Sequence, residues 1–423
     1  MTALPLHLLP DTAEVTATGG LSVGGLAVDD LVSEFGTPLF VYDTAHIRER
    51  CRQAVEAFGD TAVYAAKAFL CRAIAALVYE EGMRIDVSTL GELATALAAG
   101  VPGDRLVMHG NNKSEAELRA ALDAEVGLIV VDSFDEIDRL ERLLEADRAR
   151  PKVMLRITPG VEAHTHEFVR TGHDDSKFGF TVSTGAADRA LDRVIESPFL
   201  DLVGVHAHIG SQVFREESFA EAAAIVARYA VDRGLTEMSI GGGLGVPYVE
   251  GETAPTITDW SKSIHDGVRT AGFEGRIWAE PGRSIVAAAA VTIYRVGTIK
   301  EIPGVRTYVA VDGGMSDNPR PVLYGSGYEA FLPRAVTAER TRRVRVVGKH
   351  CESGDVLVPD ALVPEDIAVG DLLATPVTGA YGHSMGSNYN KVLRPPVVFV
   401  EDGRARLVVR RETIEDLLAT DLG

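Results

Sequence analysis

Residues 61–131 decide the fold, and they read TAVYAAKAFLCRAIAALVYEEGMRIDVSTLGELATALAAGVPGDRLVMHGNNKSEAELRAALDAEVGLIVV. Four short runs rich in Val, Ile, Leu and Ala alternate here with longer segments of helical periodicity. Apolar runs without polar alternation are typical of strands buried on both faces of a parallel sheet. Thr89, Ser114 and, just beyond, Ser133 stand where helix N-caps belong.

The same alternation continues to residue 280. The eight predicted strands are residues 61–66, 83–88, 105–109, 127–131, 152–158, 202–208, 237–240 and 276–280. Eight strands separated by helices over about 220 residues are typical of a (β/α)8 barrel of the TIM type. A doubly wound sheet is the alternative, but it usually has fewer strands and a phosphate loop after the first of them.

The rhythm changes after about residue 285, where strands follow one another without long helices. The predicted strands are residues 291–300, 306–312, 343–348, 371–375 and 396–410, and the N-terminal stretch 13–28 is predicted to be a strand pair. We therefore predict an α/β fold with a second, all-β domain. Residues 1–40 and 286–423 form this β domain, and residues 41–285 form the barrel.

Composition excludes several classes of protein. The formal net charge of −19 argues against binding to nucleic acid or to an anionic membrane surface. Apolar runs such as residues 285–294 are too short to span a bilayer, and no basic region of a secretory signal precedes the first apolar stretch. Cys51, Cys71 and Cys351 are too scattered for a metal cluster or a disulfide framework, which favours the cytoplasm.

Polar side chains collect just past the predicted strand ends, where a barrel builds its site. Lys67 follows the first strand and has apolar neighbours on both sides. Such surroundings would disfavour its charged form and make its amine a nucleophile for an aldehyde. A lysine that only extends to solvent at a strand end is the alternative.

The later strand ends add three further groups. His206 and His208 share one face of the sixth strand, and no metal is expected because no third ligand has a fitting spacing. Gly241, Gly242 and Gly243 follow the seventh strand, where consecutive backbone N–H groups can surround a phosphate.

Glu280 and Arg283 follow the eighth strand, where they could form a salt bridge with each other or bind a cationic ring nitrogen and an anion. An amine, a stacking histidine, a phosphate turn and a carboxylate together indicate pyridoxal 5′-phosphate.

These strand-end motifs resemble those of the fold-type III pyridoxal-phosphate enzymes, the group with the alanine racemase-like fold. Five further motifs are similar to the diaminopimelate decarboxylases: residues 174–180 (DDSKFGF), 315–321 (MSDNPRP), 348–355 (GKHCESGD), 378–381 (TGAY) and 387–390 (SNYN). The resemblance extends over nearly the whole chain.

The resemblance implies a role for each matching residue. Lys67 would carry the cofactor as a Schiff base, His208 would stack on its ring, and Glu280 would pair with its pyridine nitrogen. The other cofactor-binding residues that it implies are Asp86, Arg156, Ser211, Gly241, Gly242, Gly243, Pro281, Gly282, Arg283 and Tyr381. The substrate-binding residues that it implies are Arg283, Arg320, Tyr324, Glu352 and Tyr381.

Cys351 would be the proton donor. In this family its segment reaches the partner's site, which implies a homodimer with shared active sites.

The implied activity is decarboxylation of meso-2,6-diaminopimelate to L-lysine and CO2, the last step of lysine biosynthesis. A carboxylate such as Glu280 raises the pKa of the ring nitrogen and suits decarboxylation, whereas a racemase would favour a cationic side chain there. The alternatives are a decarboxylase of the same fold acting on a lysine-like, ornithine-like or carrier-bound acidic amino acid, and a non-catalytic relative.

Overall fold

The computed structural model describes residues 3–144, 149–160 and 175–423, which form two compact units. The barrel unit comprises Arg50–Val246 and Ala254–Ser284, and the β unit comprises Met1–Glu49, Pro247–Thr253 and Ile285–Gly423. Residues 41–49, 247–253 and 285 were predicted to belong to the barrel, whereas their contacts group them with the β unit.

The strands alternate with helices in the barrel unit and follow one another in the β unit. They are β1 (Glu14–Val15), β2 (Leu21–Val23), β3 (Leu26–Ala27), β4 (Leu39–Asp43), β5 (Val63–Ala65), β6 (Arg84–Val87), β7 (Leu106–Met108), β8 (Leu128–Val131), β9 (Lys152–Thr158), β10 (Phe180–Thr181), β11 (Asp201–His206), β12 (Glu237–Ser239), β13 (Arg276–Trp278), β14 (Ala290–Ile302), β15 (Arg306–Val311), β16 (Arg342–Val347), β17 (Val356–Val363), β18 (Leu372–Pro376), β19 (Val397–Glu401) and β20 (Arg404–Val409).

The helices are short to medium in length. They are α1 (Val28–Phe35), α2 (Thr44–Phe58), α3 (Arg72–Glu80), α4 (Leu90–Ala98), α5 (Glu115–Asp123), α6 (Phe134–Leu143), α7 (Ala186–Ile195), α8 (Glu216–Asp232), α9 (Ile257–Thr270), α10 (Arg283–Val286), α11 (Arg320–Tyr324) and α12 (Ile414–Leu418). Among the described residues, no helix has both the length and the apolar character needed to cross a bilayer.

The barrel unit contains the predicted (β/α)8 barrel. Its eight strands are hydrogen-bonded in parallel in the order β5, β6, β7, β8, β9, β11, β12 and β13. The ring closes because the Val63 N–H donates to the Ala279 carbonyl at 2.9 Å and Ala62 forms a parallel bridge with Ala279. All eight predicted strands are therefore confirmed, and β10 is an additional short strand beside β9.

Local sequence explains why these elements form where they do. The side chains of Thr89, Ser114 and Ser133 each accept a backbone N–H three residues later, so the three predicted caps are confirmed. The barrel interior is an apolar cluster of Val63, Val107, Leu128, Val130, Met154 and Trp278. Burial of this cluster fixes the strands whose carboxyl ends carry the site.

The β unit joins both ends of the chain in one sheet of order β17-β16-β15-β14-β4-β19-β20, with β18 also paired to β14. A separate sheet contains β1, β2 and β3, so the predicted N-terminal pair is a three-stranded meander. β4 and β17 were not predicted. β4 is a continuous buried run whose two partners, β14 and β19, are remote in sequence. β17 contains Pro359, which is exposed beside a register shift, where a residue without an N–H is tolerated.

Candidate active site

The carboxyl ends of four barrel strands converge on one buried carboxylate, Glu280. Its Oε2 lies 3.0 Å from Nε2 of His206, the last residue of β11. Its Oε1 accepts a hydrogen bond of 2.9 Å from the hydroxyl of Ser239, the last residue of β12. His109 follows β7 and places its Nε2 3.5 Å from the same Oε1. The four side chains therefore form one cluster, which we call the Glu280 cluster.

The Glu280 cluster holds a negative charge without a neighbouring Lys or Arg. Burial lowers the pKa of His206 to about 4, so this imidazole is neutral at pH 7. Burial alone would raise the pKa of Glu280, but the two histidines and their hydrogen bonds hold it well below its usual range. Within residues 3–144, 149–160 and 175–423, no lysine or arginine nitrogen lies within 4.0 Å of this carboxylate. A buried, ionised carboxylate of this kind is ready to bind a cationic ligand atom.

The Glu280 cluster contains the third metal ligand that local spacing in the sequence did not reveal. Ligand atoms of His109, His206 and Glu280 all lie within 4.8 Å of one another. Local spacing in the sequence pairs His206 with His208, whereas the fold brings His109 and Glu280 to His206 from other strands. The set could hold a divalent cation as well as the cationic ring nitrogen of a cofactor.

Lys67 lies in the turn Ala66–Ala68 directly after β5. Its side chain is exposed, whereas Ala66 and Ala68 are buried. The expectation that apolar sequence neighbours enclose the amine is therefore wrong, because adjacent residues in this turn point in opposite directions. Lys67 is nevertheless near the other candidates, since its charge, after burial, contributes to lowering the pKa of His208 well below the usual range.

Asp86 on β6 anchors the turn that carries Lys67. Its Oδ1 accepts the backbone N–H of Ala66 at 3.0 Å. Burial raises the pKa of Asp86 to about 6, with His109 and then Lys67 opposing the increase and Glu280 adding to it. These electrostatic interactions connect Asp86 both to the lysine turn and to the Glu280 cluster.

Arg156 on β9 contributes a cation near the same residues. Its guanidinium lies 4.1 Å above the ring of Phe178 and 3.6 Å from the Asp132 carboxylate. It also contributes, after burial and Lys67, to the low pKa of His208. Asp174, the first residue of the motif that contains Phe178, lies outside the described residues.

The glycine turn at 241–243 requires glycine for two reasons. Gly241 and Gly243 have φ values of +66° and +110°. A Cβ atom on Gly242 would lie 2.3 Å from the carbonyl oxygen of Glu280, so a side chain there would displace the backbone. The Gly242 N–H donates to Nδ1 of His208 at 3.2 Å, which fixes the orientation of that imidazole.

The remaining candidates of the barrel unit lie beside this turn and beside β5. Arg283 donates to the Ser211 hydroxyl at 2.7 Å, so the structure brings together two residues predicted to bind anionic groups. The Pro281 carbonyl accepts the Ala65 N–H at 3.2 Å, and a Cβ on Gly282 would lie 2.7 Å from the Ala65 side chain. Pro281 and Gly282 thus act through the backbone, by joining the last strand end to the first.

The β unit contains a second unusual charge, Arg320 at the start of α11. Arg320 is 5% exposed, donates to the Tyr328 hydroxyl at 2.5 Å and lies 4.3 Å above the ring of Tyr248. In the part of the chain that the structure describes, no carboxylate oxygen lies within 4.0 Å of its guanidinium. We call these three residues the Arg320 cluster, and its charge is suited to an anionic ligand.

The other predicted substrate residues also belong to the β unit. Cys351 has a free, exposed thiol, and Glu352 beside it is exposed. Asp355 accepts two backbone N–H groups at 2.6 and 2.9 Å and so fixes the loop that carries both. Tyr381 has φ of +63°, and Tyr324, the last residue of α11, is half-buried.

Comparisons with known proteins agree with this geometry. Residues 44–287 match the family described as "Pyridoxal-dependent decarboxylase, pyridoxal binding domain". The diaminopimelate decarboxylases of Halalkalibacterium halodurans and Bacillus subtilis are both 46% identical to this chain, and the alignments cover 97% and 98%, respectively, of both partners. The chain belongs to the diaminopimelate decarboxylase family. The crystal structure of diaminopimelate decarboxylase from M. jannaschii in complex with L-lysine superposes with a TM-score of 0.90 at 32% identity, and 98% of each chain is covered.

Membership of the diaminopimelate decarboxylase family confirms the resemblance that the motifs indicated. Four neighbours of the candidate residues were nevertheless not predicted from the sequence: His109, Ser239, Tyr248 and Tyr328. His109 and Ser239 lie at the ends of predicted strands, so the strand-end rule could have found them. Tyr248 and Tyr328 carry no local signal, because only the fold places them beside Arg320.

Proposed function

We propose that the protein decarboxylates meso-2,6-diaminopimelate to L-lysine and CO2 with pyridoxal 5′-phosphate, the last step of lysine biosynthesis. The near-complete alignment with diaminopimelate decarboxylases, which covers 97% of both chains at 46% identity, carries this proposal. The Arg320 cluster supports the substrate, because diaminopimelate has a distal carboxylate that lysine and ornithine lack. A buried guanidinium without a carboxylate partner is stabilised when such a group binds.

The residues of the barrel unit fit pyridoxal 5′-phosphate. Glu280 supplies a buried negative charge for the pyridine nitrogen, and the exposed amine of Lys67 is available to the aldehyde. Ser211, Arg283 and the glycine turn offer hydroxyl, guanidinium and backbone donors for the phosphate. When bound, the cofactor ring stores the electron pair that departing CO2 leaves behind.

Each protein group then has a defined task. Glu280 keeps a proton on the ring nitrogen, because an opposite charge favours the protonated form. His206 and Ser239 orient the Glu280 carboxylate through their hydrogen bonds. His208 would stack on the ring in its neutral form, and the Gly242 N–H fixes its orientation. Asp86 holds the turn of Lys67 in place.

The β unit would bind the substrate. Arg320 would bind the distal carboxylate with Tyr324 beside it, and Glu352 would bind the distal ammonium. Tyr381 would contact both cofactor and substrate. Cys351 would give a proton to the α-carbon after CO2 leaves, a role for which a thiol is a suitable weak acid.

A substrate panel tests the proposal. Purified protein with added pyridoxal 5′-phosphate is offered the diaminopimelate stereoisomers, lysine, ornithine, arginine and glutamate, and released CO2 is measured. We expect release from meso-diaminopimelate alone, with L-lysine as the other product. Faster release from lysine or ornithine would replace the proposed substrate with a simple diamino acid.

We further propose a cytoplasmic homodimer in which the Cys351 loop completes the partner's site. The exposed thiol of Cys351 and the exposed carboxylate of Glu352 support this assembly, because neither is enclosed within its own chain. Lys67→Ala and Cys351→Ala proteins, each inactive, are mixed after dissociation. If sites are shared, random pairing restores about one quarter of the parent activity, since half of the dimers contain one intact site. No restored activity would place both residues in the same chain's site.

A further inference from the structure

The segment Pro247–Thr253 interrupts the sequence of the barrel unit but belongs by its contacts to the β unit. We call this segment the strap. It contains no helix or strand, so its position depends on side-chain contacts. One of them is internal, since the Tyr248 N–H donates to the Glu252 carboxylate at 2.8 Å.

A buried arginine attaches the strap to the rest of the β unit. Arg340 is 2% exposed and donates to Glu250 of the strap at 3.0 Å and to Glu329 at 2.8 Å. The Glu250 backbone N–H also donates to the Glu329 carboxylate at 3.0 Å. We call these three residues the Arg340 clamp. Without the arginine, two carboxylates of like charge would face each other across the strap.

Two short segments carry both the Arg340 clamp and the two tyrosines of the Arg320 cluster. Tyr248 lies two residues before Glu250, and Tyr328 directly precedes Glu329. The rings of Tyr248 and Tyr328 are 5.2 Å apart at 75°, and Arg320 contacts both. The Arg340 clamp therefore sets the spacing of the two rings that hold the guanidinium.

We propose that Arg340 is a positioning residue for substrate selection, which acts on Arg320 through the strap. This inference rests on the proposed function, in which Arg320 binds the distal carboxylate of diaminopimelate. Arg340 itself donates hydrogen bonds to two glutamates, one of them in the strap. Loosening the strap weakens the contact of Tyr248 with Arg320 and so reduces affinity for the distal carboxylate, while the chemistry at the cofactor is unchanged.

Kinetics of Arg340→Gln test the proposal. We expect KM for meso-diaminopimelate to rise roughly tenfold, which is less than the roughly 30-fold expected for complete loss of a desolvated cation–π contact, because the variant only loosens that contact. We expect kcat to stay within about twofold and the absorbance of the bound cofactor to be unchanged. Arg343→Gln is the matched control, because Arg343 is exposed and its guanidinium lies 3.8 Å from the exposed carboxylate of Asp360. The KM of this control should equal that of the parent.

Two further variants separate positioning from folding. Glu250→Gln removes one arm of the clamp at a half-exposed side chain, so we expect a smaller rise in KM and an unchanged melting temperature. The double variant Arg340→Glu with Glu250→Arg restores opposite charges across the strap and should bring KM back toward that of the parent. Failure of both to alter KM in these directions would overturn the proposal.

A readout that does not need turnover follows the strap itself. A protease that cuts after glutamate should cleave Arg340→Gln several-fold faster at Glu250 and Glu252, and Arg343→Gln at the parental rate. Faster cleavage with an unchanged KM would show that the strap does not position Arg320, which overturns the inference. A parent that does not release CO2 from diaminopimelate is a failure of the proposed function, and the substrate role of Arg340 is then overturned with it.

Discussion

Glu280 in the barrel unit and Arg320 in the β unit are buried charges of opposite sign, and each is held by polar or aromatic neighbours. Each is a buried charge whose neighbours, among the described residues, include no side chain of fixed opposite charge within 4.0 Å. Glu280 is held by imidazoles and a hydroxyl, and Arg320 by the rings and hydroxyl of two tyrosines. Under the proposed function, Glu280 keeps a negative charge available to a cationic ligand atom, and Arg320 keeps a positive charge available to an anionic one.

Two other buried cations show what a structural charge looks like. Lys113 is fully buried, and its ammonium donates to two backbone carbonyls and to Glu136, each at 2.7 Å. Arg340 is paired with two glutamates. All of these charges are buried, so burial does not distinguish them. We infer that a buried charge with a partner of opposite charge stabilises the fold, whereas one without such a partner is available to a ligand.

The largest expected effect comes from substitution of Lys67, the proposed anchor of the cofactor. Lys67→Ala should lose the absorbance of the bound cofactor and reduce CO2 release to background, because no other described candidate at this strand end offers an amine. Absorbance spectra and a CO2 assay measure both. Lys262→Ala, on an exposed face of α9, is the control and should behave like the parent. Normal turnover by Lys67→Ala would remove the proposed cofactor anchor.

Glu280→Gln should have the next largest effect. The substitution keeps the shape and an acceptor for Ser239 but removes the charge, so kcat should fall on the order of 10² to 10³, as for loss of one preorganised electrostatic group. Cofactor binding, measured by absorbance titration, should persist. A kcat close to that of the parent would mean that the buried charge is structural, like that of Lys113.

Arg320→Met and Arg340→Met should differ in their effect on stability. Arg320→Met removes a buried charge that lacks a carboxylate partner, so the melting temperature should not fall, while kcat/KM should drop about 10- to 100-fold through loss of a charged hydrogen bond. Arg340→Met leaves two glutamates without their arginine partner and should lower the free energy of unfolding by on the order of 1–3 kcal/mol. Calorimetry and steady-state kinetics measure the pair. Equal destabilisation would erase the distinction between stored and structural charges.

The last prediction concerns stability alone, at Asp86. Its pKa is about 6 in the folded protein and near 3.8 when unfolded, so its ionised form opposes folding above pH 6 and the penalty vanishes below about pH 4. Asp86→Asn keeps an oxygen for the Ala66 N–H and should therefore gain about 3 kcal/mol at pH 8. Urea unfolding of cofactor-free protein at pH 8 and pH 4 measures this. A gain of the same size at both pH values would contradict the burial of a charge.

Much of the architecture was predictable because its signals are local. Each barrel strand is a short apolar run, and N-cap residues such as Ser114 indicate where the following helix begins. β4 was not predicted, and it is its pairing with β14 and β19, both remote in sequence, that makes it part of the β unit. β17 was not predicted from the sequence, and it contains Pro359. A proline inside an apolar segment normally indicates that the segment is not a strand.

The candidate site was predictable to the extent that its residues stand at strand ends or in motifs. Lys67, His208, the glycine turn and Glu280 follow that rule. The environment of Lys67 did not, because apolar neighbours in sequence turned out to point away from an exposed amine. The partners of Glu280 come from three other strands, and such convergence depends on closure of the barrel.

The amino-acid sequence by itself determined the barrel rhythm, the second β-rich part, the family and the reactive groups, because periodicity, capping and motifs act over a few neighbouring residues. Only the tertiary structure decided which charges lack a partner. Whether an arginine meets two glutamates, as Arg340 does, or two tyrosines, as Arg320 does, depends on contacts between segments that are remote in the chain. Electrostatic interactions and desolvation act through space, and for that reason the division between structural and ligand-binding charges appears only in the folded protein.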